Sequence, residues 1–300
     1  MRIPSSFFAA ATVAALLCGL AQAQPCSLNT IVGSFAVSER ATVFMTLPDQ
    51  PFPVSVPVVG VGIAAIDHQG KVHGSHTVSV GGEIVEAEIS GAVEVSSDCT
   101  AVESFAIKVG GEYTATAAVD KLVIADGGDV MTGILAGLPW KAVWTTTWKR
   151  ISRVPYTRFQ PQPPCSIDTI RGTYAFQYDG AIMMAVPGMP QPVPVVGALI
   201  GVGSIGYRGQ TSGRGSASIG GEAMEFEFSG SPGATIVNRD CTATSKWMMP
   251  IPGTDVPGEG MDKMVILDGG DEIWTMIAKG VLGAPIILGK WTRISRVPGS

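Results

Sequence analysis

The sequence predicts an all-β protein built from two tandem eight-stranded antiparallel barrels. Three observations support this prediction: the whole module is repeated once, apolar and polar residues alternate with a period of two, and each copy holds two cysteines. Only 15% of the residues are charged and 38 of 300 are glycine, a balance that favours strands and turns over helices.

The N-terminal segment is typical of a secretory signal peptide. Arg2 is followed by an apolar run over residues 7–21, and Ala21-Gln22-Ala23 matches the small-residue pattern of a cleavage site. The run is shorter than the roughly 20 residues that a membrane-spanning helix needs. We therefore expect residues 1–23 to be removed and the mature chain to be secreted, without a membrane span.

The rest of the chain consists of two copies of one module. Five blocks recur in the same order at offsets of 139 to 143 residues, a period far longer than that of a solenoid repeat. The blocks begin at Cys26 and Cys165, Gly81 and Gly220, Asp98 and Asp240, Asp120 and Asp262, and Trp148 and Trp291. We expect a first barrel domain over residues 24–155, a proline-rich linker over 156–164 and a second barrel domain over 165–300.

The cysteines predict one disulfide in each domain. Cys18 leaves with the signal peptide, and an even number of remaining cysteines in an exported chain indicates disulfides. Because each copy holds one early and one central cysteine, the economical pairs are Cys26 with Cys99 and Cys165 with Cys241. Each bond closes a loop of about 75 residues, which stabilises the fold by about 4 kcal/mol in the chain-entropy model.

Alternation with a period of two places about eight strands in each copy. In the second copy, Tyr174, Phe176 and Tyr178 share one strand face, and glycine pairs such as Gly220-Gly221 separate the strands. Short strands joined by hairpins fit either an up-and-down barrel or a sandwich. We favour the barrel because a closed eight-stranded sheet leaves no free edge and encloses room for one small ligand.

Three of these blocks resemble a known group of proteins. The strand block Gly172-Thr-Tyr-Ala-Phe176, the Asp-Gly-Gly turns and the Asp-Cys-Thr blocks are similar to those of exported bacterial and fungal barrels related to the calycin and allene-oxide-cyclase-like proteins. The resemblance covers both copies, although the first has Ser34-Phe35 where the second has Thr173-Tyr174. It implies a cavity that binds small apolar molecules or guides cyclisations, and it transfers no catalytic residue.

The second copy carries two unusual loops, over residues 183–196 and 247–253, that are rich in methionine and proline. Methionine adapts to irregular ligands, so the loops predict a lid over a barrel mouth; the alternative is a hydrophobic contact between the two domains. The expected ligand-binding residues are Met183, Met184, Met189, Trp247, Met248, Met249 and Trp274. The expected catalytic hydrogen-bond donors are Tyr174, Tyr178 and Tyr207.

Two groups of polar residues have a structural interpretation beside a functional one. The glutamate pairs, Glu86 with Glu88 and Glu225 with Glu227, have a spacing that suits acid and base work, but alternating glutamates are more typical of a solvent face. The three histidines lack a known metal-ligand spacing and are expected to be exposed near a turn. They are His68, His73 and His76.

Two further groups are expected to shape the ends of the barrels. The Asp-Gly-Gly-Asp segments over residues 126–129 and 268–271 are too short for a calcium loop and are interpreted as hairpin turns. Arg150, Arg153, Arg293 and Arg296 lie near the repeated tryptophans, where a buried closure of the barrel is favoured over an anion site.

Three functions stay open on this sequence. The first is a secreted barrel that binds a small apolar metabolite and, if it is an enzyme, acts as a cyclase or isomerase of secondary metabolism without a metal, nucleotide or other cofactor. The second is a non-catalytic exported structural or interaction protein, and the third is a hydrolase using Glu225 and Glu227. The net charge of −5 gives no reason to expect nucleic acid as a partner, and the oligomeric state is left open.

Overall fold

The structure is a computed structural model that describes residues 25–45, 54–136, 141–155, 165–185, 192–251, 256–281 and 283–296. These residues form two antiparallel barrels, one in each copy of the repeat, which confirms the predicted all-β fold. The expected signal peptide and the expected linker lie outside the described residues.

The first barrel is a closed ring of eight strands in sequence order, with β1 paired to both β2 and β8. A four-residue helix, α1 (Leu28–Ile31), precedes the ring. The strands are β1 Gly33–Met45, β2 Val54–Ile66, β3 Lys71–Val80, β4 Glu83–Val95, β5 Thr100–Val109, β6 Glu112–Ala125, β7 Val130–Ala136 and β8 Lys141–Ser152.

The second barrel repeats this plan after the four-residue helix α2 (Ile167–Ile170). Its strands are β9 Gly172–Met184, β10 Val193–Ile205, β11 Thr211–Ile219, β12 Glu222–Gly230, β13 Thr235–Val237, β14 Thr242–Pro250, β15 Pro257–Leu267, β16 Glu272–Lys279 and β17 Ala284–Ser295. The short strand β13 is an addition that pairs with β14, and the other eight strands close into a ring where Ser229 of β12 pairs with Met248 of β14. No helix among the described residues has the length and apolar character needed to cross a membrane.

Both predicted disulfides are present. Cys26–Cys99 and Cys165–Cys241 join the segment before each helix to a turn in the middle of the copy, with Cα–Cα distances of 4.9 and 5.0 Å. Their sequence separations of 73 and 76 residues close long loops, for which the unfolded chain loses the most entropy.

One end of each barrel is closed by one of the expected arginines, Arg150 or Arg293, whereas Arg153 and Arg296 are largely exposed. The acceptors of the Arg150 guanidinium are the Asp129 carboxylate and the carbonyls of Thr30, Val32 and Gly128. Arg293 occupies the same place in the second barrel, where its acceptors are the Asp271 carboxylate, the Thr169 carbonyl and the Tyr174 hydroxyl. The Asp126–Gly128 and Asp268–Gly270 turns lie at this closed end and join β6 to β7 and β15 to β16, as predicted.

The two barrels pack against each other through different faces. The first contributes mainly the outward side of β2, and the second contributes the outward sides of β15, β16 and β17. The buried residues of this interface are Ala36, Val59, Val61, Val265, Leu267, Met276, Ala278, Ile286 and Leu288. Ion pairs border the apolar contact, including Lys263 with Glu86 at 3.2 Å.

Candidate functional site

The two barrels share a backbone plan but fill their interiors differently. Every second residue of a strand faces inward, so the repeat pairs each inward residue of one barrel with one of the other. Five pairs at the middle of the barrels are Glu39 and Tyr178, His76 and Gly215, Glu103 and Ser245, Asp120 and Asp262, and Thr146 and Gly289. The first barrel therefore has three acids and a histidine at these positions, whereas the second has one acid.

The second barrel encloses an aromatic cavity of about 60 Å³. Its lining residues are Phe176, Tyr178, Leu199, Phe226, Phe228, Trp247, Met249, Asp262, Ile277 and Trp291. The rings pack on one another, with centroid distances of 5.4 Å between Phe176 and Trp291 and 6.2 Å between Phe228 and Trp247. Aromatic walls around a few polar atoms are typical of sites for small apolar ligands.

Glycines on neighbouring strands make room for these rings. A Cβ added at Gly289 would lie 2.2 Å from the Tyr178 ring, and one added at Gly260 would lie 2.2 Å from the Trp247 ring. Because real side chains do not approach so closely, any larger residue would push the ring away from the strand. The glycines thus allow Tyr178 and Trp247 to lie flat against the backbone of the wall.

A hydrogen-bonded chain of three side chains ends at the cavity. The Trp291 indole donates to the Tyr178 hydroxyl at 2.7 Å, and this hydroxyl donates to Oδ2 of Asp262 at 2.9 Å. The other carboxyl oxygen, Oδ1 of Asp262, is buried and has no hydrogen-bond partner among the described residues. Since Asp262 lines the cavity, Oδ1 is the polar atom that a bound molecule would satisfy.

Burial sets the protonation states in this chain. It raises the pKa of Asp262 to about 7, against the Tyr178 hydroxyl and the Trp247 indole, which both lower that pKa as donors; the indole does not reach Oδ1 with hydrogen-bond geometry. Burial also raises the pKa of Tyr178 well above its usual value, and the neighbouring Asp262 adds to this shift. At neutral pH, Asp262 therefore populates both protonation states while Tyr178 remains a hydroxyl.

The first barrel encloses a smaller, polar space of about 30 Å³. Glu39 contacts His76 through Oε1 and Nδ1, and the Thr146 hydroxyl donates to Oδ2 of Asp120 at 2.7 Å. Glu103 lies directly across from Asp120 in the pairing of β5 with β6. Burial, and to a smaller extent the neighbouring carboxylates, raises the pKa of Glu103 well above its usual value. Burial likewise raises the pKa of Asp120 to about 6, against the hydrogen bond from Thr146.

Apolar layers enclose this polar layer from both sides. One layer consists of Val43, Val58, Val78, Leu135 and Trp144. The other, towards the closed end, includes Val37, Leu122, Met131 and Trp148. A space of about 30 Å³ suits about two water molecules. Nε2 of His76, Oε1 of Glu103 and Oδ1 of Asp120 are also buried without a partner among the described residues, and waters would satisfy them. The aromatic walls and the larger volume, rather than the unpartnered oxygen alone, therefore make the second interior the candidate ligand site.

The three tyrosines expected to be catalytic lie in three different environments. Tyr178 lines the cavity, as described above. Tyr174 is fully buried at the closed end, where its hydroxyl lies 2.8 Å from the Ile170 carbonyl and accepts from Arg293. Tyr207 is 58% exposed in the turn between β10 and β11. Tyr174 and Tyr207 are therefore corrected to a structural and a surface residue, respectively.

The residues expected to bind ligand divide by the side of the strand on which they lie. Trp247 and Met249 face inward and line the cavity, and Met184 packs against the core of the second barrel. Met183 and Trp274 face outward and pack in the interface between the barrels. The expectation that these two form cavity walls is therefore wrong.

Two other residues expected to bind ligand, Met248 and Met189, are not among the described residues that form the wall of the cavity. Met248 lies between two inward residues of β14 and is exposed on the outer surface. Met189 lies outside the described residues. Of the two interpretations of the methionine-rich loops, the domain contact accounts for Met183 and a cavity wall accounts for Met249.

The glutamate pairs lie on the outer surface of the barrels. Glu86 and Glu88 on β4, and Glu225 and Glu227 on β12, are all exposed and alternate with inward residues. They do not face a barrel interior, although Glu225 and Glu227 both line an open groove on the surface of the second barrel. The solvent-face interpretation is therefore favoured over a hydrolase built on an enclosed pair of carboxylates.

The histidines were expected to be exposed near a turn, and one of them is not. His68 and His73 are exposed, but His76 is buried against Glu39. His76 fits there because Gly62 lies beside it on β2, and a Cβ at Gly62 would lie 2.4 Å from the imidazole ring. No group of three or more potential metal ligands occurs among the described residues.

The sequence analysis missed Asp262, the acid at the cavity. Asp262 is the first residue of the repeated Asp-Lys-Met-Val-Ile block, whose recurrence indicates the repeat but assigns no role to the acid. A signal was present, because Asp262, Met264 and Ile266 alternate along β15 and therefore share the inward face.

Comparison with known proteins adds no functional assignment. No protein-family model and no protein of curated function matches the chain. Among solved structures, a protein of unknown function of the DUF3598 family from Nostoc punctiforme PCC 73102 is 10% identical, with 90% of this chain and 99% of that chain covered and a TM-score of 0.22. The Myxococcus xanthus hemagglutinin in complex with a3,a6-mannopentaose is 12% identical, with 85% and 99% covered and a TM-score of 0.16. Likenesses at these TM-scores carry no argument about fold or function.

Proposed function

We propose that the second barrel binds one small, mostly apolar molecule that carries a hydrogen-bonding oxygen. The supporting observation is the aromatic cavity at which Oδ1 of Asp262 is buried without a hydrogen-bond partner among the described residues. A buried polar atom left unsatisfied costs about 1–3 kcal/mol, and a ligand hydroxyl would recover that energy. The first barrel, with its enclosed polar core, would serve as a supporting domain.

The cavity volume limits the ligand and requires side chains to move. Pockets for drug-sized ligands span about 300–1,000 Å³, and a cavity of about 150 Å³ binds benzene. The 60 Å³ seen here is smaller than either. Trp247 and Met249 are only partly buried and lie towards the end of β14, so their displacement is the expected route of entry. A single ring, or one ring of a larger molecule, is the occupant that we propose.

The same geometry supports a chemical role for Asp262 as an extension of this proposal. A carboxyl group with a pKa of about 7 gives or takes a proton near neutral pH, which suits a general acid or base. Tyr178 would hold the carboxyl group in place from Oδ2 and leave Oδ1 for the substrate. A cyclisation or isomerisation of a bound apolar substrate is therefore the reaction class that we propose, in line with the resemblance to cyclase-like barrels.

The second candidate is a non-catalytic exported structural or interaction protein. The observation that favours it is the filling of the second barrel by its own aromatic side chains, which leaves a cavity of only about 60 Å³. For either function we propose that the protein is secreted, since two disulfides fit an oxidising environment and the N-terminus resembles a signal peptide.

Calorimetric titration with phenol and toluene tests the proposed function. Both probes present a ring of similar size, but only phenol can donate to Oδ1 of Asp262. We expect the wild type to bind phenol about tenfold more tightly than toluene, which corresponds to about 1.4 kcal/mol for one hydrogen bond to a charged group. The preference should increase as the pH rises through about 7, because the ionised carboxylate is the stronger acceptor.

Two alanine variants at matched positions provide the control. Asp262→Ala should abolish the preference for phenol while toluene still binds, whereas Asp120→Ala, at the equivalent position of the first barrel, should leave the preference unchanged. The ratio of the two affinities is compared because Asp262→Ala also enlarges the cavity. If neither probe binds the wild type, the ligand site is rejected and the structural function is favoured.

A further inference from the structure

The interface between the barrels joins two unlike faces. We call the outward side of β2, with Val59, Val61 and Ile63, the docking face of the first barrel. We call the outward side of β15–β17, with Val265, Met276 and Ile286, the receiving face of the second barrel. Because the two copies have the same fold, each barrel has both faces, and the contact within the chain uses only one face of each.

The second barrel has an unused docking face on β10. The repeat offset of 139 residues pairs Val61 with Ile200 and Ile63 with Val202. Val61 is buried by the receiving face, but Ile200 is 59% exposed and Val202 is 45% exposed. Val196, on the same side of β10, is 75% exposed. An apolar stripe therefore lies open on the second barrel at the place where the first barrel makes its contact.

The first barrel has an unused receiving face on β6, β7 and β8. At offsets of 142 and 143 residues, the buried Val265, Met276 and Ile286 correspond to Val123, Ile134 and Val143. These three counterparts are 59%, 63% and 63% exposed. Apolar residues thus recur at the three central positions of the receiving face, although solvent rather than a barrel covers them.

One of the ion pairs that border the interface also recurs. Within the chain, Lys263 of the receiving face pairs with Glu86, and Glu86 also accepts a hydrogen bond from Thr77 at 2.8 Å. The counterparts of the pair are Lys121 and Glu225, and both are exposed. Glu225 accepts from Ser216 at 2.7 Å, as Glu86 does from Thr77, so the acceptor is held in the same way. No ion pair of Lys121 or Glu225 occurs among the described residues.

We propose that a second copy of this chain is the partner of both open faces. The β10 docking face of one chain would pack on the β6–β8 receiving face of the next, with Glu225 of one chain paired to Lys121 of the other. This contact would repeat the one already present between the two barrels of a single chain. A contact between unlike faces leaves one face of each kind open at the ends, so the assembly grows into chains or closes into a ring.

The contact between chains is expected to be weaker than the contact within a chain. Trp274 and Leu288 of the buried receiving face correspond to Thr132 and Thr145, and Lys149, which pairs with Asp268 and Glu272, corresponds to Thr292. In addition, the two barrels of one chain are covalently tethered, which supplies an effective concentration in the millimolar range that separate chains lack. We therefore expect reversible, concentration-dependent association.

Sedimentation velocity of the mature, disulfide-bonded chain tests this proposal. Between about 1 µM and about 1 mM, the weight-average mass of the wild type should rise from that of one chain to at least twofold. Ile200→Asp, in the docking face, and Ile134→Asp, in the receiving face, should each remain a single chain. Ile236→Asp serves as the matched control because Ile236 is 63% exposed on β13, outside both faces, and it should associate like the wild type.

A mixture of the two defective variants distinguishes this arrangement from any other. Ile200→Asp keeps an intact receiving face and Ile134→Asp keeps an intact docking face, so an equimolar mixture should form a complex of two chains and nothing larger. The charge-reversed pair Lys121→Glu and Glu225→Lys should lose association when present singly and regain it when combined in one chain. A wild type that stays a single chain at about 1 mM would overturn the proposal, as would a mixture that does not form the pair.

Discussion

The first barrel and the second barrel have the same strands, turns, disulfide and closing arginine, yet their interiors have opposite chemistry. Where the first places Glu39, His76 and Glu103, the second places Tyr178, Gly215 and Ser245. The acid on β6 and β15 is the feature that both share, as Asp120 and Asp262. The comparison shows that the residues of the closed end, the turns and the disulfide are shared by the two barrels, whereas the inward residues at the middle of the strands differ.

The chemistry of the interior follows from what surrounds the shared acid. In the first barrel, Asp120 has Thr146 and the carboxyl group of Glu103 as neighbours, and apolar layers enclose this polar group. In the second barrel, Asp262 has Tyr178 on one side and an aromatic cavity on the other. The same carboxyl group is thus a core residue in one barrel and the polar feature of a candidate ligand site in the other.

The largest effect on the free energy of unfolding is expected at the closing arginines, which both barrels share. Arg150→Ala and Arg293→Ala each leave several buried acceptors without a donor, so each should lower the free energy of unfolding by about 3–5 kcal/mol. Arg153→Ala should change it by less than about 0.5 kcal/mol because that side chain is largely exposed. Urea unfolding measures both. A cost in only one barrel would contradict the view that the two share one frame.

The next largest effect is a pH dependence of the free energy of unfolding that differs between the two barrels. Folding raises the pKa of Asp262 from 3.8 to about 7, so between these values the folded state holds a proton that the unfolded state has lost. The contribution of Asp262 to stability is therefore fully present below pH of about 4 and is lost as the pH rises towards 7, by about 1.4 kcal/mol per pH unit. Asp262→Asn should remove this contribution to the pH dependence between about pH 4 and about pH 7. Asp120→Asn should remove the corresponding contribution of the first barrel between about pH 4 and about pH 6.

The pH experiment compares three proteins by urea unfolding at a series of pH values. The slope that each variant removes is the quantity of interest, because other buried carboxyl groups such as Glu103 contribute to the total. An Asp262→Asn variant with the same slope as the wild type would show that Asp262 is not buried in the way described.

A smaller effect is expected from Tyr178→Phe. The change leaves the Trp291 indole without its acceptor and Oδ2 of Asp262 without its donor, so the free energy of unfolding should fall by about 1–3 kcal/mol. Loss of this donor should also raise the pKa of Asp262 further, which carbon-13 NMR of the carboxyl group would report. An unchanged titration would argue that Tyr178 does not hold the carboxyl group.

The smallest effect concerns a residue that the sequence analysis placed among the donors. Tyr207→Phe should change the free energy of unfolding by less than about 0.5 kcal/mol and leave the affinity for phenol unaltered, because Tyr207 is exposed in a turn. A clear loss of phenol binding in this variant would mean that the site lies outside the barrel.

The fold was predictable because its signals are local and repeated. Cysteines, turn glycines and alternation recur at fixed offsets, and each constrains the backbone directly. The side of the strand on which Met183 and Trp274 lie was also encoded, since both are outward by alternation from Ile182 and Ile273. Because Met183 and Trp274 are apolar, the sequence predicts that they contact a ligand, whereas in the structure the neighbouring barrel covers them.

The buried acids were harder to predict because charged residues on a strand usually face solvent. Glu225 follows that rule, whereas Glu39, Glu103 and Asp262 break it. The cost of burying them depends on tertiary neighbours such as His76 and Tyr178, which lie 37 and 84 residues away in the chain. Alternation along β15 places Asp262 on the inward face, but no pattern within a single strand shows which partners accompany a buried acid.

The measurement that tests the central claim most directly is nitrogen-15 NMR of the tryptophan indoles during a titration with phenol. Trp247 and Trp291 line the cavity of the second barrel, and Trp144 and Trp148 line the polar space of the first. If the second interior alone takes a ligand, the indole resonances of Trp247 and Trp291 shift and saturate while those of Trp144 and Trp148 stay in place. Shifts confined to the first barrel, or no saturable shift at all, would contradict the account.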